Sequence, residues 1–278
     1  MTDTIDNQYN NPQIVAGFEA LGHGREKGSI GRFAREFITT NYNGAPRETA
    51  VILGVGTGWE IDLVSHLGFN KIVGFDPGEG MLNKAKALVQ ERKYQNVELF
   101  DGSHIDEMNK HFAGKADLVI GTHVIPALET RELLIAHFRD YQKFLTDHGR
   151  AVAITNNPSD QFHGYDTYSC HYDGKRQKDG MRVRTILNDV KLGAKEITIG
   201  GERYTSGGKS LMVVDTFWSE ETIRESIREA GVKLTGTILI DLDNENEARN
   251  LLNVDQAKVP SEALYSPYVA FILRKTQG

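Results

Sequence analysis

Val51-Ile52-Leu53-Gly54-Val55-Gly56-Thr57-Gly58-Trp59-Glu60 is the stretch that decides the fold. An apolar run of strand type, Ala50–Leu53, ends in glycines at i, i+2 and i+4 and passes into a helix over roughly 59–67. Glycines without Cβ atoms let a ligand lie directly against such a turn, and the helix N-terminus behind it presents free N–H groups. Dinucleotide sites use the spacing G-x-G-x-x-G and would need glycine at position 59, where Trp59 leaves no passage for a diphosphate. The G-x-G-x-G form suits a mononucleoside-like cofactor.

Working outward, the same strand-then-helix alternation continues. Ile72–Phe75, Val97–Phe100, Ala116–Ile120 and Arg150–Thr155 read as buried strands, with helices near 79–92 and 129–145. This order predicts an α/β fold, a doubly wound, mostly parallel sheet with helices on both faces. Upstream, Ile30, Phe33, Ala34, Phe37 and Ile38 share one helical face. Downstream, residues 157–210 are rich in Gly, Tyr, His and Lys, with weak alternation near Arg182–Leu187 and Lys195–Ile199, which predicts an irregular or antiparallel insertion. A strand at Met212–Phe217 follows, then a helix from an N-cap at Ser219 to Ala230 with Gly231 as its C′ residue, then strands near 232–240 and 268–274. The expected organisation is one domain: an N-terminal helical arm (1–46), a cofactor-binding core (47–156), an inserted substrate lid (157–210) and the C-terminal part of the sheet (211–278).

The composition supports this frame and narrows the partners. Hydrophobic residues make up 39% and charged residues 25% of 278, which excludes a disordered or collagen-like chain. The net charge of −6 offers no basic surplus for a nucleic-acid backbone, so nucleic acid is not an expected partner. No apolar run reaches the ~18 residues of a membrane helix, and residues 1–20 lack the basic-then-apolar order of a signal peptide. A cytoplasmic protein without membrane partners is expected, as a monomer or homodimer. The single cysteine, Cys170, excludes an internal disulfide and Cys-rich metal spacing, and no metal site is expected.

The second strand ends in Asp76, twenty residues after Gly56, where a carboxylate would accept both hydroxyl protons of a ribose. The competing reading is an N-cap for the helix near 79. At the third strand's end, Phe100-Asp101-Gly102-Ser103 offers an acceptor for an exocyclic amine and a flat hydrophobe beside a ring.

Gly54–Gly58, Gly74-Phe75-Asp76 with Met81, Asp101-Gly102 and Ala116-Asp117-Leu118-Val119-Ile120 together resemble the ordered motifs of class I S-adenosylmethionine-dependent methyltransferases. The likeness covers roughly residues 47–156. The chain's ends are similar to those of members acting on small molecules, the toxoflavin-pathway type included. The resemblance implies a Rossmann-like seven-stranded sheet and S-adenosyl-L-methionine as cofactor. Gly54, Gly56 and Gly58 would line its methionine and ribose part, Asp76 would hold the ribose diol, Met81 would pack near the adenine, and Asp101 would accept from the adenine amine. Val55, Pro77, Gly102, Ser103, Thr122 and Tyr9 complete the implied cofactor contacts. One departure stands out: the family's acid two residues before the first glycine is Ile52 here. Another group must then hold the cofactor's ammonium, with the backbone of Gly54 and of residues 121–123 as candidates.

Methyl transfer needs a nucleophile held about 3 Å from the methyl, in line and shielded from water, and a base where the nucleophile carries a proton. The family builds that pocket at the ends of the fourth and fifth strands and under the insertion. His123 is the first candidate for substrate contact or base, against the reading of a loop histidine bonded to a carbonyl; His163 and His171 follow, against solvent-facing roles. Phe162, Tyr165, Tyr168 and Tyr172 would stack a flat substrate ring or form the insertion's own core. Trp218 would reach the substrate pocket or fill the core. Residues 5–30, with Tyr9 and Phe18, are expected to close over bound cofactor, and an arm this polar is expected to need a ligand or partner to order it. The leading function is methyl transfer to oxygen or nitrogen of a small molecule. The alternative is a protein of this fold that binds the cofactor without transferring methyl, and a nicotinamide dehydrogenase is opposed by Trp59.

Overall fold

The computed structural model describes residues 5–27, 29–42, 47–158, 179–188, 196–199, 202–205, 210–240 and 268–276. A 3-10 turn at Ile5–Asn10 leads into α1 (Pro12–Lys27) and α2 (Ser29–Asn41). The core then runs β1 (Thr49–Leu53), α3 (Trp59–His66), β2 (Lys71–Asp76), α4 (Glu79–Arg92), β3 (Val97–Asp101), α5 (Ile105–Phe112), β4 (Ala116–Thr122), α6 (Arg131–Phe144) and β5 (Leu145–Asn156). After it come β6 (Arg182–Asn188), β7 (Glu196–Ile199), β8 (Glu202–Thr205), β9 (Ser210–Thr216), α7 (Glu220–Glu229), β10 (Lys233–Ile240) and β11 (Tyr268–Arg274).

Seven strands form one sheet in the order β10-β11-β5-β4-β1-β2-β3. β1 to β5 pair in parallel, and β11 lies antiparallel between β5 and β10. The period-two alternation of each strand explains the layers. Val51 and Leu53 of β1 join the apolar layer with Leu134, Phe138 and Tyr141 of α6 and Ile223 of α7. Ala50 and Ile52 join the opposite layer with Ile38 of α2, Ile61 and Val64 of α3, and Leu82 of α4. The chain leaves β1 toward β2 on one side and reaches β4 on the other, so a crevice opens where the ends of these strands diverge. Among the described residues no helix is long and apolar enough to cross a membrane.

Two expectations change. The sequence places β9 in the C-terminal part of the main sheet, but it pairs antiparallel with β6 in a separate two-stranded sheet, in register from Arg182↔Thr216 to Asn188↔Ser210. β7 and β8 form a further antiparallel pair. The arm is also held by contacts of its own rather than waiting on a ligand. Ile14 and Val15 are buried, and the buried Gln8 side chain pairs with the Val214 backbone in both directions, at 2.8 and 2.9 Å. Asn10 Oδ1 accepts from the Gly80 N–H at 3.1 Å, which seats the arm over the start of α4.

Close approach at Gly121 yields a test of the packing between β4 and α6. A Cβ added there would lie 2.3 Å from the Tyr141 hydroxyl. That hydroxyl is buried and has no hydrogen-bond partner among the described residues. Gly121→Ala should therefore cost about 2 kcal/mol through overpacking. Tyr141→Phe should be neutral or stabilising alone and should recover most of that loss in the double variant. Urea unfolding of the four proteins measures it, and an equal loss in both backgrounds would refute the assigned clash.

Candidate active site

The turn after β1 hangs on the end of β2, since the N–H groups of Gly54 and Val55 both donate to the Phe75 carbonyl, at 2.8 and 2.9 Å. Gly54 (φ 72°) and Gly56 (φ 54°) occupy left-handed conformations that L side chains rarely adopt. A Cβ on Gly54 would strike Val124 at 2.4 Å, whereas one on Gly56 would meet nothing nearer than 4.0 Å. Gly56 therefore leaves open space on the side where the crevice lies.

Asp76, 7% exposed, locks this arrangement. Its Oδ2 accepts from the Gly56 N–H at 2.7 Å and its Oδ1 from the Gly78 N–H at 2.8 Å. The N-cap of α4 is Gly78, not Asp76, so the capping reading of this acid fails. A carboxylate has about four acceptor positions, and these two N–H groups occupy one on each oxygen.

A cavity opens at this point. Its floor is Gly54, Gly56, Thr57, Trp59 and Glu60; one side is Asp76, Pro77 and Met81; the other is Thr122, His123, Val124, Ala127 and Leu128. Tyr9 and Phe18 of the arm form the roof, their rings 5.7 Å apart. His123 sits at φ 58°, a conformation rare outside glycine, held by its N–H donating to the Ile154 carbonyl at 2.8 Å. Its ring meets Tyr268 edge-on at 5.3 Å. The Thr122 hydroxyl is buried and has no partner among the described residues.

The structure thus gathers Tyr9, Gly54, Gly56, Asp76, Pro77, Met81, Thr122 and His123 around one cavity. Other expected residues lie elsewhere. Val55 turns its side chain into the core, and Gly58 faces α4, where a Cβ would lie 2.9 Å from Leu88 and 3.2 Å from Ala85; its missing side chain serves helix packing. Asp101 stands beside Asp76 in strand register but outside the cavity wall, bonded to His104 Nδ1 at 2.7 Å, an interaction that raises the His104 pKa. Gly102 abuts Pro77, and Ser103 belongs to the short turn Gly102–His104. Trp218 is a core residue, 5% exposed, whose indole donates to the Leu128 carbonyl at 2.9 Å from behind the wall. Phe162, His163, Tyr165, Tyr168, His171 and Tyr172 lie outside the described residues. Thr57, Trp59, Glu60, Val124, Ala127 and Leu128 were not anticipated as lining residues. For Glu60 the sequence carries no distinguishing signal, because acids are common in the first turn of a helix.

Residues 51–152 match the family model described as a methyltransferase domain. This segment, from β1 into β5, carries a methyltransferase domain. No curated protein sequence matches it. Solved structures of the same fold include an S-adenosylmethionine-dependent methyltransferase from Clostridium acetobutylicum, 13% identical over 94% of this chain and 99% of that one, with a TM-score of 0.56. The PH0226 protein from Pyrococcus horikoshii is 15% identical, with 91% of each chain covered and a TM-score of 0.57. The CcbJ methyltransferase from Streptomyces caelestis is 16% identical over 89% of this chain and 90% of that one, at a TM-score of 0.54.

The methyltransferase site fits S-adenosylmethionine on its own geometry. Gly56 leaves room against the backbone, Asp76 is fixed in the cavity wall by the Gly56 and Gly78 N–H groups, and the Thr122 hydroxyl lacks a protein partner among the described residues.

Proposed function

We propose that this methyltransferase acts on an oxygen or nitrogen of a small molecule. Bound S-adenosylmethionine supplies a sulfonium-activated methyl group, the electrophile of the reaction. The observation that carries the reading is the composition of the cavity around the end of β4: His123 next to an apolar wall of Val124, Ala127 and Leu128, under Tyr9 and Phe18. Aromatic and aliphatic groups exclude water and orient a flat acceptor, while one imidazole stands where a hydroxyl or ammonium proton must leave. The backbone strain at His123 supports this role, because such strain persists where the surroundings impose it and is concentrated at functional positions.

The test is S-adenosylhomocysteine formation across a panel of phenols, amines and carboxylic acids. Turnover with a phenol or amine is expected, and His123→Ala should lower kcat by about 100-fold for a phenol while leaving S-adenosylhomocysteine affinity nearly unchanged. Tight cofactor binding without turnover across the panel would instead favour a protein of this fold that binds the cofactor without transferring methyl.

A further inference from the structure

We infer that Gln8 is a positioning residue for methyl transfer, tying the roof of the cavity to β9 so that the cofactor side and the acceptor side are held as one. The turn Ile5–Asn10 is a 3-10 helix, in which successive side chains point about 120° apart. Three consecutive residues therefore reach three different neighbours. Tyr9 enters the cavity roof with Phe18. Asn10 takes the Gly80 N–H of α4, where a Cβ on Gly80 would lie 3.0 Å from the Tyr9 carbonyl oxygen and 3.3 Å from the Asn10 Cα. Glycine within a helix is costly, and here its bareness is what lets the turn sit against α4. Gln8 points the third way. It is 5% exposed, and its amide donates to the Val214 carbonyl at 2.8 Å and accepts from the Val214 N–H at 2.9 Å.

The N–H and C=O of a strand residue point to the same edge, so this one amide pairs with β9 as a neighbouring strand residue would. β9 in turn borders the opposite wall. It packs against the turn Ile125–Ala127, and Trp218, two residues past its end, donates to the Leu128 carbonyl at 2.9 Å. Ala127 and Leu128 belong to the cavity wall with His123. β9 also carries the chain out of the proposed lid over the acceptor. The roof cannot lift from the cavity without giving up both amide bonds to water or drawing β9 with it. A ligand that holds Tyr9 and Phe18 down therefore also holds β9 at the acceptor's end. The acceptor is then aligned and shielded from water by elements that the cofactor itself has fixed.

This inference rests on the cofactor lying under Tyr9 and Phe18, and the experiment separates the two. Hydrogen–deuterium exchange of the full chain, with and without saturating S-adenosylhomocysteine, is read on peptides covering the arm and on those covering Ser210–Thr216. In the wild-type protein the ligand should slow exchange by about tenfold or more in both segments. Gln8→Met keeps the length of the side chain without its amide. There the arm should still be slowed about tenfold, while the slowing at Ser210–Thr216 should shrink to within about twofold. A merely structural role would speed exchange with and without ligand alike and leave that ratio in place. Gln8→Asn, which keeps the amide on a shorter arm, should retain part of the slowing and serves where the methionine variant does not fold. Ligand-induced slowing of Ser210–Thr216 that survives in Gln8→Met would overturn the inference. Bound S-adenosylhomocysteine that leaves this segment unchanged in the wild-type protein would do the same. Absence of any S-adenosylhomocysteine binding by calorimetry would instead count against the cofactor itself and take the inference with it.

Discussion

Replacing Asp76 with alanine should weaken S-adenosylhomocysteine binding by about 1.5–3 kcal/mol, roughly 10- to 150-fold. The carboxylate has two tasks, and alanine removes both. It would hold the ribose hydroxyls, and it already ties the Gly56 and Gly78 N–H groups at 2.7 and 2.8 Å, so the turn and the start of α4 lose their common anchor. Asp76→Asn should be nearly as harmful, because one of its two polar atoms becomes a donor facing a backbone N–H. Titration calorimetry gives the affinities, and circular dichroism verifies that the variants are folded. Unchanged affinity in the alanine variant would remove Asp76 from the ribose site.

The strands, the glycine turn and the Asp76 position were legible because each depends on local pattern. A buried strand needs a short apolar run, and a ligand-bearing turn needs residues that tolerate positive φ at fixed spacing. What was not legible depends on partners distant in sequence. Met212–Phe217 reads as a strand in any sheet, and nothing local tells that its partner is β6 rather than β11. The arm's anchoring rests on Ile14, Val15 and the Gln8–Val214 pairing, which spans 206 positions, so its polar composition concealed the contact. Gly58 follows the same spacing as Gly54 and Gly56, yet it serves the contact with Ala85 and Leu88. Glu60 carries the converse lesson: a residue ordinary for a helix start lines the cavity only through the direction the turn gives it.

The largest expected effect on stability is a pair of opposed titrations on α6. His137 is buried, its ring edge-on to Tyr141 at 5.1 Å, and its Nε2 has no partner among the described residues. Burial lowers its pKa from 6.5 to about 4. One turn on, burial raises the Asp140 carboxyl from 3.8 to about 6, against the opposing pull of Lys143. The signs are opposite. For His137 the unfolded chain takes up the proton first, so its contribution is intact above pH 6.5 and is lost as pH falls toward 4. For Asp140 the folded chain holds the proton longer, so its contribution is intact below pH 3.8 and is lost as pH rises through 6. At 1.36 kcal/mol per pKa unit each amounts to about 3 kcal/mol, and over the shared window they nearly cancel. Each single variant should expose the other group. Relative to wild type, Asp140→Asn should lose about 3 kcal/mol of unfolding free energy as pH falls across that window. His137→Leu should instead gain a similar amount on the same path. Urea unfolding at several pH values supplies these differences, in which the remaining carboxylates are common to both proteins and drop out. Differences that stay constant with pH would mean that neither group changes its proton affinity on folding.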